Sequence, residues 1–405
     1  MHPPGADTVL VRHGEIGTKS EQVGRKMEGQ LRDNVAAILA DRGFDDPVDR
    51  ERTRLYVRTA PDRIEAVTDA VTDTFGVVSA SPALATEPTL DAIGEVLADT
   101  AREHYDGGTF AVRARRAGQT DAHPFSSADI EEAGGAAVWR AAEETGVDPT
   151  VDLEEPDLTF FVECRAEQAF VFVEKRQGPG GLPLGTQRPV VALVSGGFDS
   201  PVAAWEMMRR GCPVVPVYVD LGEYGGQDHR ARARAAVDAL ARYAPNAGMS
   251  LRVVPGGEAV DRIVEETEKH RMLVLRRYML RVAAAIAEAE TAVGIVTGEA
   301  VGQKSSQTSA NLRVTSAVTD FPVHRPLLTA DKSTITQRAR AIGTYDDATI
   351  PAGCDRISPS YPETAGSVSA VQAAEPDDID ALAAEAADSA ERVPVREGRK
   401  PQRSQ

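Results

Sequence analysis

Apolar and polar positions along residues 1–176 change between the alternating pattern of strands and the helical period of about 3.6 residues. The pattern predicts strands at 9–11, 55–57, 110–113, 158–164 and 169–175, and helices at 24–40, 63–74, 90–103 and 127–144. Strands and helices in this mixed order indicate α+β units. We therefore predict two α+β domains, one at residues 1–61 and one at residues 62–176.

A cluster of glycine and proline at residues 177–185 breaks both patterns and marks the main predicted domain boundary. After it, strands at 190–194, 214–219, 251–254 and 293–297 alternate with helices beginning at Ser200 and covering 230–243 and 272–289. Such alternation predicts a doubly wound parallel sheet with helices on both faces, an α/β domain at residues 177–366. Residues 367–405 are rich in Ala, Asp and Glu, which predicts an acidic helix followed by a disordered end.

The amino-acid composition predicts a soluble globular protein. Its 405 residues are 42% hydrophobic and 26% charged, enough for two or three domains. No apolar run approaches the ~20 residues of a membrane span, and the N-terminus lacks a signal pattern, so we predict a cytoplasmic protein without a membrane partner. Cys164, Cys212 and Cys354 are dispersed and form no CxxC pair, which disfavours a disulfide framework, a zinc site and an iron–sulfur cluster.

The sequence Ser195-Gly196-Gly197 follows a buried strand and precedes a helix that Ser200 is predicted to cap, with Pro201 in its first turn. Glycines let backbone N–H groups approach an anion, and the helix N-terminus adds partial positive charge. We predict a phosphate site here; a glycine turn without a ligand is the alternative.

A second glycine-containing string, at residues 298–305, fails the Walker A pattern because Gln303 stands where the second glycine is needed. Asp199 projects from the predicted phosphate loop, where a carboxylate requires a cation or a proton-transfer task. We predict that Asp199 binds Mg²⁺; capping of the helix is the alternative role.

The Ser-Gly-Gly-Phe-Asp-Ser string at 195–200 resembles the PP-loop of ATP pyrophosphatases, which adenylate a substrate oxygen and release pyrophosphate. Further strings at 180–186, 296–303, 305–308, 311–312, 324–328, 331–332 and 342–345 together resemble the tRNA uracil 4-sulfurtransferase family. The resemblance extends over residues 8–365, including an opening strand at 10–16. It implies the domain order ferredoxin-like, THUMP and PP-loop.

The strings at 110–116 and 125–131 resemble the THUMP module, which in this family grips the acceptor arm of tRNA together with the N-terminal domain. The resemblance therefore implies RNA contacts by Arg113, Arg115 and Arg116; a strand that merely faces solvent is the alternative. A net charge of −17 opposes nucleic-acid binding, so any such contact must be local.

The resemblance also implies that the chain binds ATP, with contacts from Leu193, Val194, Ser195, Gly196, Gly197, Ser200, Arg276, Gly298 and Gln307. Arg277 is the alternative to Arg276. Lys332 is implied as a further contact to phosphate or RNA.

For the reaction, the resemblance implies that ATP adenylates O4 of uridine 8 in tRNA, because hydroxide is a poor leaving group and AMP a good one. A sulfur nucleophile then attacks C4 to give 4-thiouridine. Cys354 occupies the family's PP-loop cysteine position and is predicted to be catalytic as the persulfide thiol; a small buried apolar side chain is the alternative. Cys164 and Cys212 are predicted to be structural.

Some members of this family carry a C-terminal rhodanese domain that receives the persulfide, and this sequence ends instead in the acidic segment. We expect sulfur from a separate persulfide carrier or cysteine desulfurase, or from free sulfide, and a role in thiamine synthesis is doubtful. The family also implies a homodimer. Three other functions stay open: another PP-loop tRNA thiolase, a small-molecule ligase, which the THUMP strings disfavour, and a tRNA-binding protein with a vestigial nucleotide site.

Overall fold

The computed structural model describes residues 1–51, 54–117, 122–225, 227–345 and 357–395. The chain forms two compact units, Met1–Gly181 and Leu182–Gln405, and each is described separately. In the described part, no helix is both long and apolar enough to cross a membrane.

The first unit is a bent sheet with four described helices. Its strands are β1 (Thr8–His13), β2 (Val48–Glu51), β3 (Arg54–Arg58), β4 (Val77–Thr86), β5 (Thr109–Arg116), β6 (Thr150–Val151), β7 (Leu158–Cys164), β8 (Ala169–Phe172) and β9 (Arg176–Gln177). Its helices are α1 (Glu21–Asp41), α2 (Ile64–Thr72), α3 (Leu90–His104) and α4 (Ser127–Glu144). The strand order is β2-β3-β1-β4-β8-β7-β5-β6, with β9 paired to β4.

Strand β4 belongs to both halves of this sheet. Its residues 77–83 pair with β1, and its residues 84–86 pair with β8. One apolar cluster lies between β1, β3, β4 and the helices α1 and α2, and a second lies between β5, β7, β8 and the helices α3 and α4. The sequence pattern missed β4 because its small residues and Pro82 are unusual in strands.

The two halves of the sheet face each other across the bend at β4. The rings of Tyr56 on β3 and Phe170 on β8 stack with centroids 5.1 Å apart. In a flat sheet these strands would lie about 14 Å apart, three strand spacings, so the contact requires the sheet to fold over. Leu10, Ala83 and Phe172 complete a small apolar cluster inside the fold.

A buried ion pair links the two halves beside this cluster. Glu163 on β7 accepts hydrogen bonds from Arg54 Nη2 on β3 at 3.0 Å and from Arg165 Nη2 at 2.8 Å. Burial alone opposes ionisation, but the charges of Arg54 and Arg165 hold the pKa of Glu163 below its ordinary value. Glu163 is therefore a carboxylate at neutral pH.

The second unit contains the doubly wound sheet that the sequence predicts. Its strands are β10 (Val190–Leu193), β11 (Val214–Asp220), β12 (Ser250–Pro255), β13 (Ile295–Val296), β14 (Val323–His324) and β15 (Glu391–Pro394). Its helices are α5 (Asp199–Arg209), α6 (Gln227–Ala241), α7 (Gly257–Glu266), α8 (Arg271–Ala289), α9 (Ser309–Ser316), α10 (Lys332–Ala341), α11 (Val368–Gln372) and α12 (Ile379–Asp388). The strand order is β14-β13-β10-β11-β12-β15.

Strands β10 to β14 of this sheet are parallel, and the chain reverses its direction of travel across the sheet at β10. The main core packs α7, α8 and α12 against β10, β11 and β12. Helices α5 and α6 also contact β11 but contribute no residue to that core, so they cover the other face. Ligands of such sheets bind at the carboxyl ends of the strands next to the reversal.

The C-terminal segment differs from the prediction of a helix followed by a disordered end. Between residues 367 and 395 the chain forms α11, α12 and then β15, which pairs antiparallel with β12 at the edge of the sheet. The sequence pattern missed β15 because three of its four residues are Glu, Arg and Pro, and an edge strand tolerates such residues. Residues 396–405 lie outside the described part.

We expect Glu163→Gln to lower the free energy of unfolding of the first unit by about 3 kcal/mol, because Arg54 and Arg165 then lose their shared carboxylate. Since the pKa of Glu163 is lowered in the folded state, this stabilisation is present above the ordinary glutamate pKa and is lost as the pH falls through the folded value. Unfolding measured as a function of pH tests this. Glu155→Gln, at an exposed position, is the matched control; equal loss in both variants would contradict the prediction.

Candidate active site

The loop between β10 and α5 is held by its own serine side chains. The Ser195 N–H donates to Ser200 Oγ at 2.9 Å, the two serine hydroxyl oxygens are 3.1 Å apart, and the Gly197 N–H donates to Ser195 Oγ at 3.3 Å. The prediction that Ser200 caps the helix is wrong. The helix begins at Asp199 without a side-chain cap, and Ser200 instead turns back to hold the loop.

Two glycines lie where other segments approach this loop, and at one of them the approach excludes a side chain. A Cβ at Gly298, which follows β13, would lie 2.6 Å from Ser200 N and 2.7 Å from Asp199 C, in the first turn of α5. A Cβ at Gly196 would lie 3.4 Å from Arg232 Cβ on α6. Gly298 is therefore required by contact with backbone that cannot give way.

A cavity of about 210 Å³ opens at the carboxyl ends of β10, β11 and β13. Of the nucleotide contacts predicted from the sequence, all except Gly197 line it, and Asp199 lines it as well. The residues concerned are Leu193, Val194, Ser195, Gly196, Asp199, Ser200, Arg276, Gly298 and Gln307. The structure thus brings together residues that are separated by more than a hundred positions in the sequence.

Most of the remaining lining residues were not predicted from the sequence. Tyr218, Val219 and Leu221 come from the end of β11, and Met272, Leu275, Met279 and Leu280 from one side of α8. The position of β11 next to β10 is a signal that could have identified the first group. The apolar residues of α8 cannot be told from core residues by pattern alone. Together they form an apolar wall beside the phosphate loop, as a ligand with a planar apolar part requires.

Arg276 enters the cavity from α8 and is fixed by three partners. Its Nη1 donates to Glu299 Oε1 at 2.7 Å, and its Nε donates to Ser306 Oγ at 3.0 Å. With the Gln307 amide nitrogen donating to the Ala300 carbonyl at 2.9 Å, the amide oxygen accepts from Arg276 Nη2 at 3.0 Å. Arg277, the alternative in the sequence, is buried and donates to the Val314 carbonyl instead.

Glu299 is the buried carboxylate that orients this arginine. It also accepts from Arg325 Nε at 2.8 Å and from Thr297 Oγ1 at 3.0 Å. Burial opposes its charge, but Arg276 and Arg325 hold the pKa of Glu299 below its ordinary value. In the sequence Glu299 stands only within a family string, without a predicted role of its own.

Asp199 has the properties expected of a cation ligand. Its Oδ1 is buried and has no hydrogen-bond partner among the described residues. Burial raises the pKa of Asp199, and the charges of Lys332 and Lys304 oppose this shift. The described residues contain no cluster of three His, Cys, Asp or Glu side chains suited to a metal. Mg²⁺ at this position fits if phosphate oxygens and water complete its ligands, as is usual for nucleotide sites.

The predicted RNA contacts lie in the first unit, apart from Lys332 at the start of α10. Arg113 and Arg115 are exposed on β5 and alternate with the buried Phe110 and Val112. Arg113 Nη2 donates to the Leu153 carbonyl, and Arg116 Nη1 donates to the Phe125 carbonyl.

The predicted thiol, Cys354, lies outside the described residues. Cys164 and Cys212 are both buried, and burial raises the pKa of both thiols.

A group of cations that the sequence did not reveal lies inside the bend of the first unit. This basic cluster consists of Arg12, Arg54, Arg165 and Lys175 around the carboxylate of Glu163. Arg12 and Arg54 come from the paired strands β1 and β3, and Arg165 and Lys175 flank β8. These two pairs are distant in the sequence and become neighbours because the sheet folds over.

Arg12 is a member of the basic cluster whose guanidinium is only partly hydrogen-bonded. Its guanidinium lies 4.7 Å from the Phe172 ring centroid and its Nη1 donates to Ser81 Oγ, but its Nη2 has no hydrogen-bond partner among the described residues. Burial and the charge of Arg54 lower the pKa of Arg12 to about 10. An anion placed beside Arg12 would relieve this repulsion.

The sequence matches three family descriptions in order along the chain. Residues 8–81 match the ThiI ferredoxin-like domain, residues 87–174 match the THUMP domain, and residues 185–378 match the thiamine biosynthesis protein ThiI.

Similar proteins carry consistent names. The chain is 59% identical over 378 residues to a probable tRNA sulfurtransferase of Halobacterium salinarum, covering 93% of this chain and 95% of the relative. It is 40% identical to a probable tRNA sulfurtransferase of Methanosarcina acetivorans, covering 88% of this chain and 86% of the relative. Its structure is similar to that of a 4-thiouridine synthetase in complex with RNA and ATP, with a TM-score of 0.83, 27% identity and coverage of 96% of this chain and 100% of the other.

We expect Gly298→Ala to weaken ATP binding by at least about tenfold, because its Cβ forces the β13 loop and the first turn of α5 apart. Calorimetric titration with ATP measures the effect, and circular dichroism checks that the variant is folded. Gly135→Ala, where a Cβ meets nothing within 4 Å, is the control. Unchanged ATP affinity in a folded Gly298→Ala variant would contradict this role.

Proposed function

This chain belongs to the tRNA sulfurtransferase family, and from that premise we propose that it adenylates O4 of uridine 8 in tRNA and replaces that oxygen with sulfur. The product is 4-thiouridine, and AMP and pyrophosphate are released. The observation that carries the proposal is the cavity where the Ser195–Ser200 loop, Arg276 and an apolar wall meet at the strand ends. A vestigial nucleotide site would not be expected to keep all of these parts.

The geometry supports one orientation of ATP in this cavity. The adenine lies against the apolar side chains of α8 and the end of β11, and the phosphates lie at residues 195–198 and the N-terminus of α5. Arg276, fixed by Glu299, supplies positive charge to the phosphates, and Lys332 does so from α10. Asp199, whose buried Oδ1 has no partner among the described residues, would hold Mg²⁺, and the ion would supply positive charge to the leaving pyrophosphate.

The reaction then proceeds in two displacements. Uracil O4 attacks the α-phosphorus of ATP, the bond from that phosphorus to the β-phosphate oxygen breaks, and pyrophosphate leaves. A sulfur nucleophile next attacks C4, the C4–O4 bond breaks, and AMP leaves carrying the former O4. The enzyme thus converts a poor leaving group into a good one before sulfur arrives.

We assign sulfur transfer to Cys354 when the donor is a persulfide. The outer sulfur of the Cys354 persulfide attacks C4 and AMP leaves. A thiol then attacks the Cys354 sulfur of the remaining S–S bond and releases 4-thiouridine, and a second equivalent of the same thiol frees Cys354 and forms that thiol's disulfide. That thiol comes from another molecule, because Cys164 and Cys212 are buried. With free sulfide as the donor, the nucleophile attacks directly and no reduction is needed.

The residues on either side of the Cys354 segment support this assignment. Tyr345, before the segment, lies with its ring centroid 5.9 Å from that of Phe198 in the phosphate loop. Ile357, after it, is fully buried, and its carbonyl accepts from Arg271 at the start of α8. Both flanking residues are therefore fixed to elements that line the cavity.

For tRNA, we propose that Arg12 and Lys175 of the basic cluster and the exposed arginines of β5 contact backbone phosphates. The cluster places four cations around one carboxylate in a chain whose net charge is −17. A local excess of arginine and lysine is sufficient for phosphate contacts because the Debye length at physiological ionic strength is only about 8 Å. We further propose a homodimer and a cytoplasmic reaction, with sulfur supplied by a persulfide carrier, a cysteine desulfurase or free sulfide.

Reconstitution tests the chemistry. We expect purified protein with ATP, Mg²⁺, unmodified tRNA and a persulfide donor to release pyrophosphate and form 4-thiouridine, measured by the absorption of the isolated nucleoside. Asp199→Asn should slow pyrophosphate release by about 100-fold or more. Cys354→Ser should still release pyrophosphate but form no 4-thiouridine from the persulfide, and should form it from sulfide.

Cys212→Ala is the control for removal of a thiol that takes no part in the reaction. Absence of tRNA-dependent pyrophosphate release from the unmodified protein would refute the proposed function. Full thiolation by Cys354→Ser with the persulfide donor would refute the role of Cys354 alone.

The basic cluster is tested by the salt dependence of tRNA binding. We expect Arg12→Gln and Lys175→Gln each to weaken binding and to reduce the slope of log K against log salt by about 0.7 to 0.9 for each phosphate that the protein no longer neutralises. Arg140→Gln, at an exposed site on α4 where the Nε donates to the Ala136 carbonyl, is the charge-matched control. A slope equal to that of the control would show that the cluster does not contact phosphate.

A further inference from the structure

The chain segment 363–375 contacts two separate elements that line the cavity. We call this segment the C-terminal brace. It follows the Cys354 segment and precedes α12. Its contacts are to α8 on one side and, on the other, to residues 305–311, which include the first turn of α9 and are called the loop 305–311 below. These two elements carry Arg276, Ser306 and Gln307, which hydrogen-bond to one another at the cavity wall.

The contact of the brace with α8 is made by one buried carboxylate. Glu375 accepts from Arg277 Nε at 2.6 Å, and it accepts from Arg281 Nη1 and Nη2 at 2.8 Å each. Arg277 also donates to the Val314 carbonyl of α9 at 2.9 Å. Because Arg277 is the residue after Arg276, the Glu375 contact fixes α8 within one residue of the cavity.

The contact of the brace with the loop 305–311 is made by one buried amide. Asn311 Nδ2 donates to the carbonyls of Ser305 and Glu363 at 2.9 and 2.8 Å, and its Oδ1 accepts from the Gly366 N–H at 3.0 Å. Thr308 Oγ1 adds a hydrogen bond to the Thr364 carbonyl at 2.6 Å. Asn311 is fully buried, so each of its hydrogen bonds is costly to lose.

Between these two contacts, the brace is closely packed at Gly366. A Cβ at Gly366 would lie 3.0 Å from Leu273 Cδ1 on α8 and 3.3 Å from Asn311 Oδ1. The brace therefore touches both elements at one point as well as at its two ends. A shift of the brace would move α8 and the loop 305–311 relative to each other.

From these contacts we propose that the C-terminal brace sets the distance between Arg276 and the Ser306–Gln307 loop, and so determines the affinity of the cavity for ATP. Glu375 and Asn311 are positioning residues: they do not line the cavity, and they act through Arg276 and Gln307. This inference rests on the proposed function for the identity of the ligand. It makes the ATP affinity of the cavity depend on a segment that does not belong to the carboxyl ends of the strands.

The test compares ATP affinity in two variants that release opposite sides of the brace. Glu375→Gln preserves shape but removes the charge shared by two arginines, and Asn311→Ser removes the link to the loop. We expect each to weaken ATP binding by about 2- to 30-fold, measured by calorimetric titration well below the unfolding temperature. In steady-state kinetics the KM for ATP should rise more than kcat falls.

The matched control cuts a different ion pair of the same C-terminal segment. Asp378 pairs with Arg262 on α7 at 3.4 Å, away from Arg276, and both side chains are about half-exposed. Asp378→Asn should leave ATP affinity unchanged. If Glu375→Gln does not fold, Arg281→Gln, which removes one of the two arginines, is the substitute and should weaken ATP binding in the same direction.

The outcomes separate the two hypotheses. If Glu375→Gln and Asn311→Ser lower thermal stability but bind ATP as the unchanged protein does, the brace is merely structural and the inference is wrong. If the unchanged protein itself binds no ATP, the proposed function fails and the brace has no nucleotide site to act on. Equal weakening in Asp378→Asn would also overturn the inference, because the effect would then not depend on contact with α8.

Discussion

The approach of Gly298 to the first turn of α5 is the contact on which the proposed active site depends. It brings the end of β13 against the loop that follows β10, so that Thr297 and Glu299 lie beside Ser200 and Asp199. Glu299 then orients Arg276, and Arg276 in turn is bound to Ser306 and Gln307. A glycine without a side chain thus allows a chain of polar contacts that extends from the phosphate loop to α8. Each of these side chains is held in place by a hydrogen bond to the next, which is the fixed geometry that a preorganised site requires.

Three buried carboxylates of this protein each hold two arginines. Glu163, Glu299 and Glu375 each accept hydrogen bonds from two arginines, and the pKa of each is held below its ordinary value. One such carboxylate joins the halves of the first unit, one orients Arg276 at the cavity and one anchors the C-terminal brace. A net charge of −17 is therefore compatible with local anion sites. Salt screens distant charges, so the balance of arginine and carboxylate side chains within a few ångströms determines whether an anion can bind.

The sequence predicted most of what is local in the chain and little of what depends on remote contacts. The parallel sheet and the fold class were confirmed, because their signal is a regular alternation of strands and helices. The phosphate site at residues 195–200 stays a prediction. Strand β4, with its small residues, and β15, with its polar ones, were missed because tertiary pairing overrides weak local preference.

For the candidate site, the string at 195–200 and the family resemblance identified residues that are distant in the sequence. The fold brings most of these residues together around one cavity. The capping role of Ser200 was wrong because its hydroxyl has a better partner in the Ser195 N–H. The basic cluster could not be predicted, since one pair of its members comes from β1 and β3 and the other flanks β8, and no single segment encodes the bend that brings the two pairs together.

The antiparallel pairing of β15 with β12 affects whether the protein can self-associate through its sheet. Without residues 391–394, the backbone donors and acceptors of β12 would form an open edge beside Leu251 and Val253, a template onto which a strand of another molecule can add. The opposite edge, β14, has only two residues and is too short to favour such addition. The last described strand thus hinders self-association through the sheet. Its Glu, Arg and Pro residues suit an edge strand that no further strand should join.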